Sequence, residues 1–110
     1  MAYNTILADR IRHQLIRRRN FTEKKMFGGI CFLLNGNMCC GVIGQELIIR
    51  VTTQQAESFL REKDIRAFDF TGKPSKNMIY VGSNALQSDT DLKKWLVITM
   101  DYVKSLPKKN

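Results

Sequence analysis

Three cysteines and one histidine are the residues of this chain best suited to redox, nucleophilic or metal chemistry. Four such side chains are enough for a zinc ion, but Cys39 and Cys40 are adjacent in a predicted strand, so their side chains should point to opposite faces. His13 falls on the polar side of a predicted helix. We therefore expect no metal site and buried, reduced thiols at Cys31, Cys39 and Cys40. A thiol-based redox sensor remains an alternative.

The segment Thr71-Gly72-Lys73-Pro74-Ser75 contains the glycine and lysine of a phosphate-binding loop. That loop also needs a glycine five residues before Gly72 and a Ser or Thr directly after the lysine, where this sequence has Ala67 and Pro74. We expect an ordinary turn here, with a phosphate-metabolite binding protein as a further alternative. No carboxylates are paired at a spacing typical of acid–base catalysis, so the sequence predicts neither an enzyme active site nor a cofactor.

Positive charge is concentrated at the two ends of the chain, whose net charge is +8 at pH 7. Residues 1–25 hold seven Lys and Arg against Asp9 and Glu23. Such a stripe can contact nucleic-acid phosphates, although arginines at a helix end also offset the helix dipole and lie in solvent. DNA is therefore a possible partner. The candidate nucleic-acid-binding residues are Arg12, Arg17, Arg18, Arg19, Lys24 and Lys25.

The elements that must position these residues fit one domain, residues 1–110. Apolar residues make up 44% and charged residues 25% of the chain, as in ordinary globular domains. The N-terminus lacks the pattern of a secretory signal, and no apolar run approaches the ~18 residues of a membrane span. We expect a soluble cytoplasmic protein with no membrane partner.

Apolar periodicity predicts an α+β fold of two layers. A helix is expected over residues 3–19, with a buried stripe formed by Tyr3, Ile6, Leu7, Ile11 and Leu15. Short apolar runs over residues 24–51, separated by glycine turns, predict an antiparallel meander sheet. A capping box from Thr52 to Gln55 begins a short middle helix, residues 78–81 form a last strand, and a C-terminal helix follows Ser88.

The turn Asn35-Gly36 fixes an expected register for the central hairpin. With these two residues at the centre of the turn, Leu33 pairs with Met38 and Cys31 pairs with Cys40. Both faces of the hairpin are then apolar, whereas most two-layer sheets leave one face polar. A second element or a partner must therefore cover the outer face.

The C-terminal helix carries more apolar residues than one inward stripe can hold. The predicted interface residues are Trp95, Val97 and Ile98, which we expect to contact a homodimer partner or a second protein. Residues 65–77 are predicted to form a loop with Phe68 and Phe70 directed inward.

The segment of residues 23–38 contains Lys25-Met26-Phe27-Gly28-Gly29 followed by the Asn-Gly hairpin. Together with the strand of residues 47–51, Asp69-Phe70-Thr71-Gly72-Lys73-Pro74 and Tyr80-Val81, it closely resembles the N-terminal domain of the TfoX/Sxy family. The resemblance extends over about residues 3–107. Gly28-Gly29 also has a structural explanation, because either glycine could adopt a positive φ or allow the strand to bend.

The resemblance implies a small α+β domain, an association with transcriptional regulation of competence for DNA uptake, and no enzyme activity. It transfers no catalytic or ligand-binding residue to a position of this sequence. Full-length regulators of the family have a further C-terminal domain, whereas this sequence stops at Asn110. We therefore expect a stand-alone regulatory or interaction module that acts through a protein partner or DNA.

Overall fold

Six antiparallel strands form a single sheet, and three helices pack on one of its faces, which confirms the predicted α+β class. The computed structural model describes residues 3–70 and 72–108. The strands are β1 (Phe21–Met26), β2 (Gly29–Leu34), β3 (Asn37–Ile43), β4 (Glu46–Arg50), β5 (Ile65–Ala67) and β6 (Met78–Val81). The helices are α1 (Thr5–Leu15), α2 (Thr53–Phe59) and α3 (Asp89–Val103), and a 3-10 helix, Ser83–Leu86, precedes α3. No helix within the described ranges is long and apolar enough to cross a membrane.

The strand order is β1-β2-β3-β4-β6-β5. Strands β1 to β4 follow one another as the predicted meander, and β6 then inserts between β4 and β5. Strand β5 corrects the prediction of an unbroken loop over residues 65–77. It has only three residues, of which Ile65 alone is buried, so it carries no alternating pattern that could be recognised in the sequence.

Helix α1 is shorter than the periodicity predicted. It ends at Leu15, with Ile16 as its C-cap, and Asn20 adopts a positive φ of 69° before β1 begins. The three arginines between them offer no apolar face that packing could hold in a helix. Ile6 is 73% exposed, because it lies about 100° around the helix from the buried Leu7; its assignment to the buried stripe was wrong.

The predicted helix caps are present. Thr52 and Gln55 form a reciprocal capping box: the Thr52 hydroxyl accepts from the Gln55 backbone N–H at 3.1 Å, and the Gln55 side chain accepts from the Thr52 N–H at 3.0 Å. The Ser88 hydroxyl accepts from the backbone N–H of Asp91 at 3.0 Å. These bonds satisfy amide groups that a helix N-terminus leaves without a partner, so they fix where α2 and α3 begin.

The register of the β2–β3 hairpin changes part-way along its length. Leu33 pairs with Met38 as predicted, but a bulge then shifts the ladder, and Phe32 pairs with Cys40. Cys31 consequently pairs with Gly41, and the predicted pairing of Cys31 with Cys40 was wrong.

Cys39 is the extra residue of this bulge, because Met38 and Cys40 oppose consecutive residues of β2. Two residues at a bulge need not alternate between faces. Cys39 and Cys40 are in fact both buried in the core on the helix side of the sheet. The expectation that their side chains point to opposite faces was therefore wrong.

The other face of the sheet is covered by a smaller apolar cluster. Its buried members are Cys31, Ile48, Phe68 and Tyr80. Phe68 is 5% exposed, and its predicted inward orientation is confirmed. The segment between β5 and β6 therefore helps to cover the outer apolar face of the hairpin, for which a second element or a partner was expected. Phe70 is 49% exposed, and its predicted inward orientation was wrong.

Candidate functional site

A groove lies between the turn that follows α1 and one flank of α3. Lys93, Val97 and Met100 recur at steps of four and three residues, which places them along one side of the helix. The cavity has a volume of about 330 Å³. We term this surface, together with its continuation below, the basic groove. The cavity is lined by Gln14, Arg17, Arg18, Lys93, Leu96, Val97 and Met100.

The groove continues towards the C-terminal end of α3. A second cavity of about 210 Å³ shares Arg18, Val97 and Met100 with the first. Lys104 lines this second cavity and lies four residues after Met100, on the same flank of the helix. Its other lining residues are Arg19, Phe21, Leu34 and Asp101. The two cavities therefore form one continuous surface, with Val97 and Met100 at its centre.

The groove carries an excess of positive charge. The side chains of Arg17, Arg18, Arg19 and Lys93 are exposed, and none of them forms an ion pair with another residue of the described ranges. Asp101 is the one carboxylate among the described lining residues, and it pairs with Lys104 at 3.1 Å. An anionic group entering the groove thus meets several cations whose charge no carboxylate offsets.

Contacts between α1 and the start of α3 hold the groove together. Arg10 donates to the carbonyl oxygen of Ser88 at 3.2 Å, and Gln14 donates to that of Asp89 at 3.3 Å. These bonds fix the end of α1 beside α3. The structure therefore brings together Arg17, Arg18 and Arg19, predicted as phosphate contacts, with Val97, predicted as a partner contact.

Arg12 lines neither cavity of this groove, although it shares an adjoining cavity with Arg18. Its guanidinium donates two hydrogen bonds to the Glu23 carboxylate, at 2.8 and 2.9 Å, and a third to Asp9 at 2.6 Å. The hydrogen bonds that Arg12 donates to the Glu23 carboxylate are the largest cause of the raised pKa of Arg12. Because two carboxylates already neutralise it, Arg12 ties α1 to the edge strand β1 rather than offering a free cation.

Lys24 and Lys25 are also separated from the groove. Both are exposed on β1, the edge strand, but they pair with Cys31 and Ile30, which belong to apolar clusters on opposite faces of the sheet. Neighbouring residues of a strand point to opposite faces. At about 3.3 Å per residue, Lys25 lies roughly 20 Å of chain from Arg19. The six predicted basic residues therefore do not form one patch.

Of the three predicted interface residues, only Val97 lines the groove. Trp95 is 2% exposed and packs edge-on against Phe59, with the ring centroids 5.1 Å apart. Ile98 is half-buried and packs against the core. The prediction that Trp95 is a surface contact is thus corrected: its indole forms part of the core.

Sequence reasoning missed Lys93, Met100 and Lys104 as groove residues. The signal was available, because positions 93, 97, 100 and 104 follow the helical spacing that places residues on one face. The apolar excess on this helix points to a contact surface, but nothing local to the helix shows that Arg17 to Arg19 lie beside it and make the lysines part of a groove.

The three thiols lie in the interior, at 0–1% exposure. Burial raises the pKa of the Cys31 thiol to about 11. A hydrogen bond with Cys39 and burial raise the pKa of Cys40, whereas hydrogen bonding with Cys40 and with Thr99 lowers the pKa of Cys39. A thiol must reach solvent to meet an oxidant, and none of these three does.

The other candidate residues of the described ranges do not come together in a metal-binding or phosphate-binding site. His13 is exposed on α1, as expected. Within residues 3–70 and 72–108, no three His, Cys, Asp or Glu side chains are grouped closely enough to hold a metal ion. Thr71, in the segment compared with a phosphate loop, lies outside the described residues; Gly72 next to it adopts a φ of +94°.

The Met-Phe-Gly-Gly motif builds the turn between β1 and β2. Phe27 and Gly28 are its two central residues, and both have positive φ, 57° and 73°, as a type I′ turn requires. The Phe27 ring contacts Phe68 and Phe70 edge-on, with centroids 5.4 and 5.3 Å away. Gly29 has a different requirement: a Cβ there would lie 2.0 Å from the carbonyl oxygen of Val42.

Comparison with known protein families identifies the family to which this chain belongs. The family model of the TfoX N-terminal domain matches residues 13–102, which is most of the chain. The chain therefore belongs to the TfoX N-terminal domain family. The matched region includes the β1–β2 turn, the sheet and most of the basic groove. Searches of curated proteins and of solved structures find no match.

Proposed function

We propose that this protein is a non-enzymatic regulatory module of transcription that acts by binding an anionic macromolecule in the basic groove. One observation carries the proposal: Arg17, Arg18 and Lys93 converge on a cavity whose described lining contains no carboxylate. Membership of a family of competence-regulator domains supports the regulatory role. The cations attract an anionic partner, and the half-buried Val97 and Met100 add apolar contact area.

The test is a titration with two anionic probes, a 16-base-pair DNA duplex and poly-glutamate, each at low and at physiological salt. The groove variant is Arg17→Glu with Lys93→Glu, and the control is Arg61→Glu with Lys63→Glu. The control reverses two exposed cations that no described carboxylate pairs with, and it changes the net charge by the same amount. We expect the groove variant to bind at least one probe about tenfold more weakly than the control.

Equal binding by the groove variant and its control would show that only the overall charge matters, and would contradict the proposal. Absence of binding to both probes at low salt would contradict it as well. Circular dichroism of both variants establishes that each remains folded.

A homodimer through α3 remains a prediction. Twofold pairing opposes the same surface of two copies, so a residue before the symmetry axis faces a residue after it in the partner copy. A pair centred on Val97 would bring the basic grooves of both copies together, and in each groove the cations, among them Arg17, Arg18 and Lys93, outnumber the one described carboxylate, Asp101, so the two surfaces would repel each other. Sedimentation of the protein at low and high salt tests this: association that strengthens with salt and is lost in Val97→Glu would identify such a dimer.

A further inference from the structure

We infer that the basic groove binds a segment of a partner protein that has acidic residues at both ends and apolar residues between them. This inference rests on the proposed function and names the chemistry of the partner. It follows from the order of side chains along the groove, which is cationic, apolar, apolar and cationic: Lys93, Val97, Met100 and Lys104.

The spacing of these side chains sets the size of the segment. Lys104 lies eleven positions after Lys93, and at 1.5 Å per residue the two lysines are about 16 Å apart along α3. About five residues of an extended chain, or about three turns of a helix, span that distance. Arg17 adds charge near the Lys93 end, and Arg18 lines both cavities. At the other end Lys104 is paired with Asp101, so Arg18 and Arg19 supply the net positive charge there.

The apolar centre favours a protein over DNA. Each strand of a duplex presents a phosphate about every 3.4 Å along the helix axis, so its charge is continuous along the backbone. Phosphates lying across the groove would be placed over Val97 and Met100, which offer them neither hydrogen bonds nor charge, and burying an unpaired charge is costly. Apolar side chains at that point instead gain from removing both groups from water.

The probe for this inference is a synthetic 14-residue peptide with four Asp or Glu at each end and Leu and Phe in the centre. A second peptide of the same composition alternates acidic and apolar residues. A third replaces every acidic residue by its amide. Fluorescence anisotropy measures the binding of each labelled peptide, and the 16-base-pair duplex is measured in parallel.

Variants separate the apolar from the charged contribution. Val97→Ser removes apolar surface at the centre of the groove without altering its charge, and Val97→Thr, of nearly the same volume, serves if the serine variant does not fold. We expect the block peptide to bind about tenfold more tightly than the alternating peptide. Val97→Ser should weaken only the block peptide, and Arg17→Glu with Lys93→Glu should weaken both acidic peptides.

The outcomes separate this inference from the proposed function. Equal affinity for block and alternating peptides, or no effect of either Val97 variant, overturns the inference while groove-dependent binding still supports the function. Groove-dependent binding of the duplex with no binding of the acidic peptides overturns it in favour of DNA. No groove-dependent binding of any probe overturns both.

Discussion

The hydroxyl of Thr99 lies 2.8 Å from the carbonyl oxygen of Cys39, the residue at which strand β3 bulges. It lies at the same distance from the carbonyl oxygen of Arg50 on β4, so its single proton is shared between two strands. Thr99 is completely buried, the one polar residue in the core of the described chain. The helix thus supplies a donor where the bulge interrupts the regular pairing of the sheet.

Replacing Thr99 by valine tests this relationship. Thr99→Val preserves the shape of the side chain but leaves buried carbonyl groups without their donor, so we expect a loss of about 1–3 kcal/mol in the free energy of unfolding. Thr90→Val, at an exposed position of the same helix, is the matched control and should change stability by less than about 0.5 kcal/mol. Urea denaturation measures both; equal stabilities would show that the hydroxyl contributes nothing.

The two glycines of the β1–β2 turn should differ in their sensitivity to substitution. Gly28→Ala meets no atom within 4 Å and suffers only from its positive φ, about 1–2 kcal/mol. Gly29→Ala forces its methyl group into the backbone of Val42, so we expect a loss of about 3 kcal/mol or more. Thermal unfolding of the two variants ranks them, and the opposite ranking would be inconsistent with this account of the motif.

Burial of Cys31 makes stability depend on pH in the alkaline range. Its folded pKa of about 11 exceeds the ordinary value of 9.0, so the folded state holds the thiol proton more tightly than the unfolded state. The resulting stabilisation is complete below pH 9 and is lost as the pH rises towards 11. The stability difference between wild type and Cys31→Ala should therefore shrink by about 2–3 kcal/mol over this range. A difference independent of pH would contradict the prediction.

The same burial predicts how the thiols react. A thiol reagent at neutral pH should label none of Cys31, Cys39 and Cys40 in the folded protein and all three in denaturant, because buried thiols are inert. Fast labelling of any thiol in the native protein would reopen the redox-sensor alternative. Mass spectrometry after brief labelling gives the count and the position.

Arg12 and Arg17 should behave differently, although the sequence grouped them. Arg12→Ala breaks the ion pairs with Glu23 and Asp9, half-exposed contacts for which we expect a loss of about 1 kcal/mol or less and no change in binding to the groove. Arg17→Ala should leave stability unchanged and weaken binding. Urea denaturation measures the stability of both variants, and fluorescence anisotropy measures their binding. Weaker binding by Arg12→Ala equal to that of Arg17→Ala would show that both arginines belong to one binding surface.

Local sequence signals were enough to predict most helices, strands and turns. Features that depend on contacts between distant parts of the chain could not be predicted. The Thr52–Gln55 box and the Asn35-Gly36 turn lie within a few residues of the structures they define, so both could be read directly from the sequence. The bulge at Cys39 could not, because its donor, Thr99, is sixty positions away in the sequence. Because Cys39 is an extra residue in the ladder, the pairing shifts by one position, and Cys31 pairs with Gly41 instead of Cys40.

The candidate site shows the same division. Arg17 and Val97 were each identified from their own helix, but their shared cavity depends on how α1 packs against α3. The pairing of Arg12 with Glu23 depends on where β1 lies beside α1, which no local pattern specifies. The number of basic residues and the excess of apolar residues on a helix can be counted from the sequence. Which basic side chains are paired with carboxylates, and which apolar side chains are buried, is known only from the tertiary structure.

The insertion of β6 between β4 and β5 constrains how a nascent chain can fold on the ribosome. Strands β1 to β4 can pair as soon as they emerge, but the outer edge of β4 stays open until Met78–Val81 has been made. About 30 residues lie between Arg50 and Val81, which at 5–20 residues per second take roughly two to six seconds to synthesise. During that interval the edge of β4, with Ile48 and Ile49 uncovered, can pair with a neighbouring chain. Slower translation of this stretch should therefore increase aggregation during expression more than slower translation of the first fifty codons.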